Sequence, residues 1–224
     1  MGLIKAALGA ADGVMADQWK EFFYCDSLDK DTLAAKGQKR TSSRGRSSNT
    51  SGEDNIITKG SVIVVNEGQC MMIVEQGKVV EICAEPGEFI YDSSTEPTVF
   101  GGNLSQDLKS VFKNMAKRFT FGGDAPKNQC VYYFNTKEIM GNKYGTPQSI
   151  QFESMIGPYM LNVNIRCFGE YSYRIANPIL FYTNVCSNFD SVYERSEIDS
   201  QLKSELLTAL QPAFGRIAAK GIRY

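Results

Sequence analysis

Four apolar, β-branched runs separated by glycine turns constrain this chain's fold more than any other feature. Ser61-Val62-Ile63-Val64-Val65 leads to a turn at Asn66-Glu67-Gly68, and Gln69-Cys70-Met71-Met72-Ile73-Val74-Glu75 follows. Gln76-Gly77 separates that run from Lys78-Val79-Val80-Glu81-Ile82-Cys83, and Pro86-Gly87 opens Glu88-Phe89-Ile90-Tyr91. Stretches this short and this rich in valine and isoleucine are strands, and their spacing predicts an antiparallel meander. Further strands are expected at Val131–Phe134 and Ser149–Phe152. The clearest alternation follows, with Tyr159, Leu161, Val163, Ile165 and Cys167 on one face and Asn162, Asn164 and Arg166 on the other. Gly169 marks a bend before Tyr171, Tyr173 and Ile175, and Asn177-Pro178 ends the run.

Helical periodicity frames this strand-rich region. Leu3, Ile4, Leu8, Met15, Trp19, Phe22 and Phe23 belong to an amphipathic pattern that predicts a helix over the first 23 residues. Its charges, Lys5, Asp12, Asp17, Lys20 and Glu21, rule out a transmembrane span and leave a helix that either lies in a membrane interface with aromatic anchors or docks on its own domain or a partner subunit. Leu104, Leu108, Val111, Phe112, Met115 and Phe119 predict a second helix over 104–119, stopped by Gly122-Gly123. A third is expected from Ser191, where Ser191 and Glu194 offer a capping box and Pro212 predicts a kink or break. Its stripe of Ile198, Leu202, Leu206, Leu207, Leu210 and Phe214 is wide enough to pack on a sheet and still meet a second subunit, or to be buried whole within one subunit. Strands followed by helix make the expected class α+β: an antiparallel β-rich domain with packing helices and an N-terminal amphipathic helix.

Between Thr32 and Gly52 there is no acidic residue, while Lys36, Lys39, Arg40, Arg44 and Arg46 punctuate Ser, Thr, Gly and Asn. Residues 41–52 have too little apolar surface to bury and read as a mobile loop. Its cations are suited to anionic headgroups or simply to solvent. The chain therefore divides into a helix over 1–30, a basic Ser-rich loop over 31–55, a β-rich domain over 56–190 and the start of a helical region over 191–224.

Composition removes most enzymology. Among 224 residues there is no histidine, so Ser-His-Asp and Cys-His catalysis and HExxH zinc sites are excluded. A formal net charge of −1 gives no basic excess for nucleic acid. The six cysteines form no CxxC pair and read as free thiols in a reducing compartment. Neither a cofactor nor a metal site is expected. Chemistry by carboxylates alone, through Glu75, Glu81, Glu85 or Glu88, is the remaining catalytic alternative, but alternation and turn positions make these ordinary surface residues.

Three stretches resemble the stomatin/prohibitin/flotillin (SPFH, band-seven) superfamily. Gly60–Gln69 is similar to its opening hairpin, and Gly77-Lys78-Val79 with Glu85-Pro86-Gly87-Glu88-Phe89 is similar to its G-K-V and P-G pair. Tyr171-Ser172-Tyr173-Arg174-Ile175-Ala176-Asn177-Pro178 resembles the strand that ends in Tyr-Arg-Ile-x-(Asp/Asn)-Pro. Trp19-Lys20-Glu21, Lys36–Arg40 and Phe134-Asn135-Thr136-Lys137-Glu138-Ile139 resemble a soluble bacterial, virion-core-protein-like branch. The resemblance implies a non-enzymatic homo-oligomeric scaffold, peripheral at the cytoplasmic face of a membrane, that organises lipid or client proteins. A charged amphipathic helix stands where many relatives carry a hydrophobic segment, and the chain reads as the N-terminal part of something longer. A soluble structural or particle component is the alternative.

Overall fold

The computed structural model describes residues 21–40, 57, 61–91, 99–100 and 128–220. The chain divides into two compact units: one runs to Lys137 and takes in Ile175–Tyr193, and the other comprises Glu138–Arg174 and the residues from Glu194 onward. The expected helix over 104–119, the loop over 41–52 and most of the N-terminal helix lie outside the described residues.

The first unit contains β1 (Phe22–Tyr24), β2 (Thr32–Lys36), β3 (Gln38–Lys39), β4 (Val62–Val65), β5 (Gln69–Glu75) and β6 (Lys78–Cys83). It also holds β7 (Gly87–Ile90), β8 (Val99–Phe100) and β9 (Gln129–Asn135). The strands make a four-stranded sheet in the order β3-β1-β4-β7 and a six-stranded sheet in which β14 (Val192–Glu194) precedes β2-β9-β5-β6-β8. Pairing is mostly antiparallel; β1–β4 and β6–β8 are parallel.

The four runs over 61–91 are strands, but they do not form a meander. β5 pairs with β6, whereas β4 pairs with β7 in the other sheet, Val62 opposite Ile90 and Val65 opposite Gly87. The chain changes layer at 66–68 and again at 84–86, so the β5–β6 hairpin is flanked in sequence by a pair that belongs elsewhere. Adjacent runs with turns between them look the same in sequence whether or not they pair with each other.

Phe23, Ile63 and Val65 of the smaller sheet share one buried cluster with Met71, Ile73, Val131 and Tyr133 of the larger. Cys70, Met72, Tyr132 and Phe134 alternate with these and are also buried. That second face is covered by a short helix, α1 (Pro178–Phe181), which continues as a π-helical turn over Tyr182–Cys186. Phe134 meets Phe181 and Tyr182 edge-on at 6.2 and 6.5 Å, and Tyr132 lies 4.9 Å from Phe189 between ring centroids. Cover on both faces explains why β5 and β9 read as continuous apolar runs rather than alternating ones. Asn177 caps α1, its side chain accepting from the Leu180 amide at 3.0 Å, and Pro178 occupies the first turn, where its missing N–H costs nothing.

The second unit contains a long two-stranded arm. β10 (Ile139–Gly145) pairs antiparallel with β13 (Phe168–Tyr173), and β11 (Ile150–Ile156) pairs with β12 (Tyr159–Ile165) beyond it. Thr146 joins the two ribbons: its amide donates to the Cys167 carbonyl, and its Oγ1 accepts from the Cys167 amide at 3.1 Å. The helix α2 (Ser196–Ala219) packs on β11, where Phe214 meets Phe152 edge-on at 6.5 Å. Of residues 56–190, Glu138–Arg174 belong to the second compact unit.

Candidate membrane and partner surface

Phe22 and Phe23, expected on a helix as membrane anchors, stand in β1. Strand alternation turns Phe23 into the core at 3% exposure and leaves Phe22 half-buried. A two-residue aromatic run satisfies a helical stripe and a strand equally well in sequence, and here pairing with β3 and β4 decides it. The described residues of the segment expected as helix and loop thus supply β1, β2 and β3 to the two sheets.

The basic residues are distributed unevenly. Lys39 Nζ lies 3.1 Å from Glu21 Oε1 with both side chains 14% exposed, and it stands 5.4 Å from the Phe23 ring centroid. A lysine engaged in this way serves the fold, which removes it from the cations available to a headgroup. Arg40 is exposed, with its guanidinium 5.7 Å from the Phe22 centroid. Lys36 is half-buried at the end of β2, where its amide donates to the Ser191 carbonyl. Arg44, Arg46, Leu3, Ile4, Leu8, Met15 and Trp19 lie outside the described residues.

The expected oligomer stripe is where the periodicity put it. Ile198, Leu202, Leu206, Leu207, Leu210 and Phe214 all lie on α2 and all are half-buried; no residue of α2 is fully buried. Leu207 and Phe214 line a groove of about 880 Å³ against Ile150, Phe152 and Met160. Two local expectations change here. The helix begins one turn later than Ser191, because residues 192–194 are taken by β14; Arg195 is the N-cap, without a side-chain cap bond. It also continues through Pro212 to Ala219 instead of breaking.

The polar residues nearest the centre of the first unit grip backbone. Asn66 Nδ2 donates to the Cys25 carbonyl at 3.0 Å and Gln69 Nε2 to the Asp26 carbonyl at 2.9 Å. Lys137 Nζ donates to the Leu28 carbonyl. Asn135 Nδ2 donates to the carbonyls of Asp29 and Thr32 at 2.8 and 3.0 Å. These side chains come from the β4–β5 and β9–β10 turns, and together they hold the segment between β1 and β2. Gly68 sits at φ +74°, with the Lys137 side chain passing 2.6 Å from where a Cβ would stand, so both backbone and space require glycine. The Asn66–Gln69 and Asn135–Lys137 stretches, which looked like family signatures, thus have a structural task that single-sequence reasoning missed.

None of Glu75, Glu81, Glu85 and Glu88 lines this groove or the smaller one beside Tyr132. Glu75 Oε2 accepts from Gln129 Nε2 at 2.9 Å, and Glu81 is half-buried on β6, where burial pushes its carboxyl up. Among the described residues, no three Cys, Asp or Glu side chains are grouped to hold a metal.

All six cysteines are unbridged. Burial, helped by Asp26, pushes the Cys25 thiol up to about 11, and burial with Cys83 beside it pushes Cys70 up to about 12. The unfolded chain releases these protons near pH 9.0 and the folded chain does not. Stability from these groups is therefore complete below pH 9 and is lost as pH rises through about 9–12. Urea midpoints measured across this range should fall with pH, and Cys70→Ala should flatten the slope; a flat wild-type profile would count against buried thiols.

A family model described as SPFH domain-Band 7 family matches residues 51–220. No curated protein and no solved structure matches the chain.

Proposed function

The chain belongs to the SPFH domain-Band 7 family, and from that membership we propose that it is a non-enzymatic scaffold. It attaches peripherally to the cytoplasmic face of a membrane, self-associates and gathers lipid or client proteins. The observation that carries this reading is the family match over most of the chain, since the family is generally one of membrane-associated scaffolds. The fold is compatible with it. Buried amides such as Asn135 and Asn142 are spent on backbone carbonyls, while apolar side chains remain half-covered along α2. Among the described residues no helix is long and apolar enough to cross a membrane.

The mechanism is multivalent. One subunit contributes a modest apolar and cationic contact; lateral association through the α2 stripe multiplies it, because linked sites rebind at high effective concentration. Arg40, with Arg44 and Arg46, supplies attraction to anionic headgroups at about 1 kcal/mol per cation near the surface. The intact chain should therefore float with vesicles of phosphatidylcholine and phosphatidylglycerol. It should float less in raised salt, and it should scatter light as a dimer or larger species at high concentration. Leu202→Ser with Leu206→Ser should lower both association and flotation. A strict monomer that stays with the soluble fraction at low salt would overturn the proposal.

A further inference from the structure

The far end of the β11–β12 ribbon departs from the rule that governs its base. At the base the alternation holds: Val163, Ile165 and Cys167 are half-buried while Asn162, Asn164 and Arg166 are exposed. Toward the turn it is lost, and Tyr159, Met160 and Leu161 are exposed in succession, at 76%, 65% and 39%. Consecutive residues of a strand point to opposite faces, so apolar surface is presented on both sides of the ribbon at once. The turn itself is Gly157-Pro158, with Gly157 at φ +63°, and a Cβ placed there meets no atom of the described residues within 4 Å. That conformation makes a tight hairpin that projects.

We propose that this hairpin end, Gly157-Pro158 with Tyr159, Met160 and Leu161, inserts into the interfacial layer of a lipid bilayer. The inference rests on the scaffold reading above and names an element that touches the lipid.

Charge sets the depth. From Ser154 to Ile165 there is no charged residue, whereas Glu153 stands on β11 opposite Asn162 and exposed Arg166 follows β12. Beyond Glu153 lie the pairs Ser154–Leu161, Met155–Met160 and Ile156–Tyr159. Three residues of strand span ~10 Å, which matches the about 5–10 Å to which interfacial elements sink. Glu153 would stop at the headgroups, where its carboxylate stays hydrated. Arg166, further back, faces the anionic surface.

Backbone chemistry gives the same limit. Among the described residues β11 and β12 pair only with each other, so the ribbon's outer edges have no further strand there. Such edges are not tolerated in hydrocarbon but are satisfied by water and headgroups at the interface. Tyrosine suits that level, with its ring among the acyl carbons and its hydroxyl in the polar layer. A protein partner fits less well. A narrow finger bearing three exposed side chains offers only a few hundred Å², short of the about 800 Å² that each side gives to a stable interface.

The test uses the intact chain and vesicles of phosphatidylcholine and phosphatidylglycerol. In a Trp19→Phe background, which removes the only tryptophan, a Tyr159→Trp variant should shift its emission to the blue on vesicle addition. It should also be quenched by brominated acyl chains. Tyr159→Ser with Leu161→Ser should lose roughly tenfold or more of vesicle partitioning, with an unchanged melting curve because both sites are exposed. If the chain floats while the Tyr159→Trp emission is neither shifted nor quenched, the hairpin lies outside the bilayer; this inference is then overturned and the scaffold reading stands. If the double serine variant floats normally but loses self-association, the tip is a contact between copies, which also overturns it. A chain that never floats overturns both.

Discussion

Replacing Asn135 with alanine should cost the fold about 3 kcal/mol, since each buried group left unpaired costs roughly 1–3 kcal/mol. At about 2–4 °C per kcal/mol for a chain of this size, the melting temperature should drop by roughly 6–12 °C. Asn135 is 1% exposed at the end of β9, and its amide donates to the carbonyls of Asp29 and Thr32. Its Oδ1 accepts from the Lys137 amide at 3.1 Å, which shapes the turn that aims Lys137 at Leu28. Alanine abandons both carbonyls at once. Asn135→Asp separates shape from chemistry: it keeps an acceptor for Lys137 but sets a carboxylate against two carbonyl oxygens, and should be at least as damaging. Thermal melts of the two variants check this. An alanine variant that melts with the wild type would mean that the segment between β1 and β2 is held by Asn66, Gln69, Lys137 and its apolar contacts, without need of Asn135.

What was legible in the sequence depended on whether one physical constraint dominated locally. The runs over 62–65, 69–75 and 78–83 were legible because β-branched residues and glycine turns agree with the tertiary outcome. Their partners were not, since the layer change at Asn66–Gly68 leaves no mark beyond an ordinary turn. β10 escaped notice because Met140, Gly141 and Asn142 interrupt any alternation. The structure accommodates them with a bulge between Ile139 and Asn142, Gly141 taking φ +76°. β1 was hidden beneath a helical stripe that its two phenylalanines also satisfy. For the surface, the α2 stripe was legible because a single period of 3.6 governs it, although the cap was misplaced by a strand too short to announce itself. The exposed hairpin end could not be singled out, because Tyr159 and Leu161 fit a buried face in sequence and only their exposure among the described residues distinguishes them.

The bulge at Asn142 leads to the second large effect. A bulge breaks the ladder and leaves a carbonyl without its strand partner, and here the Asn142 side chain makes up the loss. Its Nδ2 donates to the Ile139 and Tyr171 carbonyls at 2.9 and 3.0 Å. Its Oδ1 accepts from Arg195 Nη2 at 2.6 Å, and Arg195 Nε donates to Asp199 Oδ2 at 2.9 Å. Tyr173 donates its hydroxyl to the other Asp199 oxygen at 3.3 Å. One 3% exposed amide therefore ties β10, β13 and the first turn of α2 into a single network. Asn142→Ala should cost about 3 kcal/mol, by the same reckoning of unpaired buried groups. It should also raise amide exchange in α2 from Ser196 through its first turns before the sandwich responds, because the network lies wholly in the arm and helix. Arg195→Met keeps the aliphatic stem and removes only the charge-assisted bonds, so its cost should be smaller. If the network acts as a unit, the two substitutions together should cost less than their sum by at least ~0.5 kcal/mol, the coupling expected of residues in one hydrogen-bonded network. Strict additivity, with α2 exchange unchanged in Asn142→Ala, would mean the helix is held by its apolar contacts, such as Phe214 on Phe152. The network would then be incidental to the position of α2.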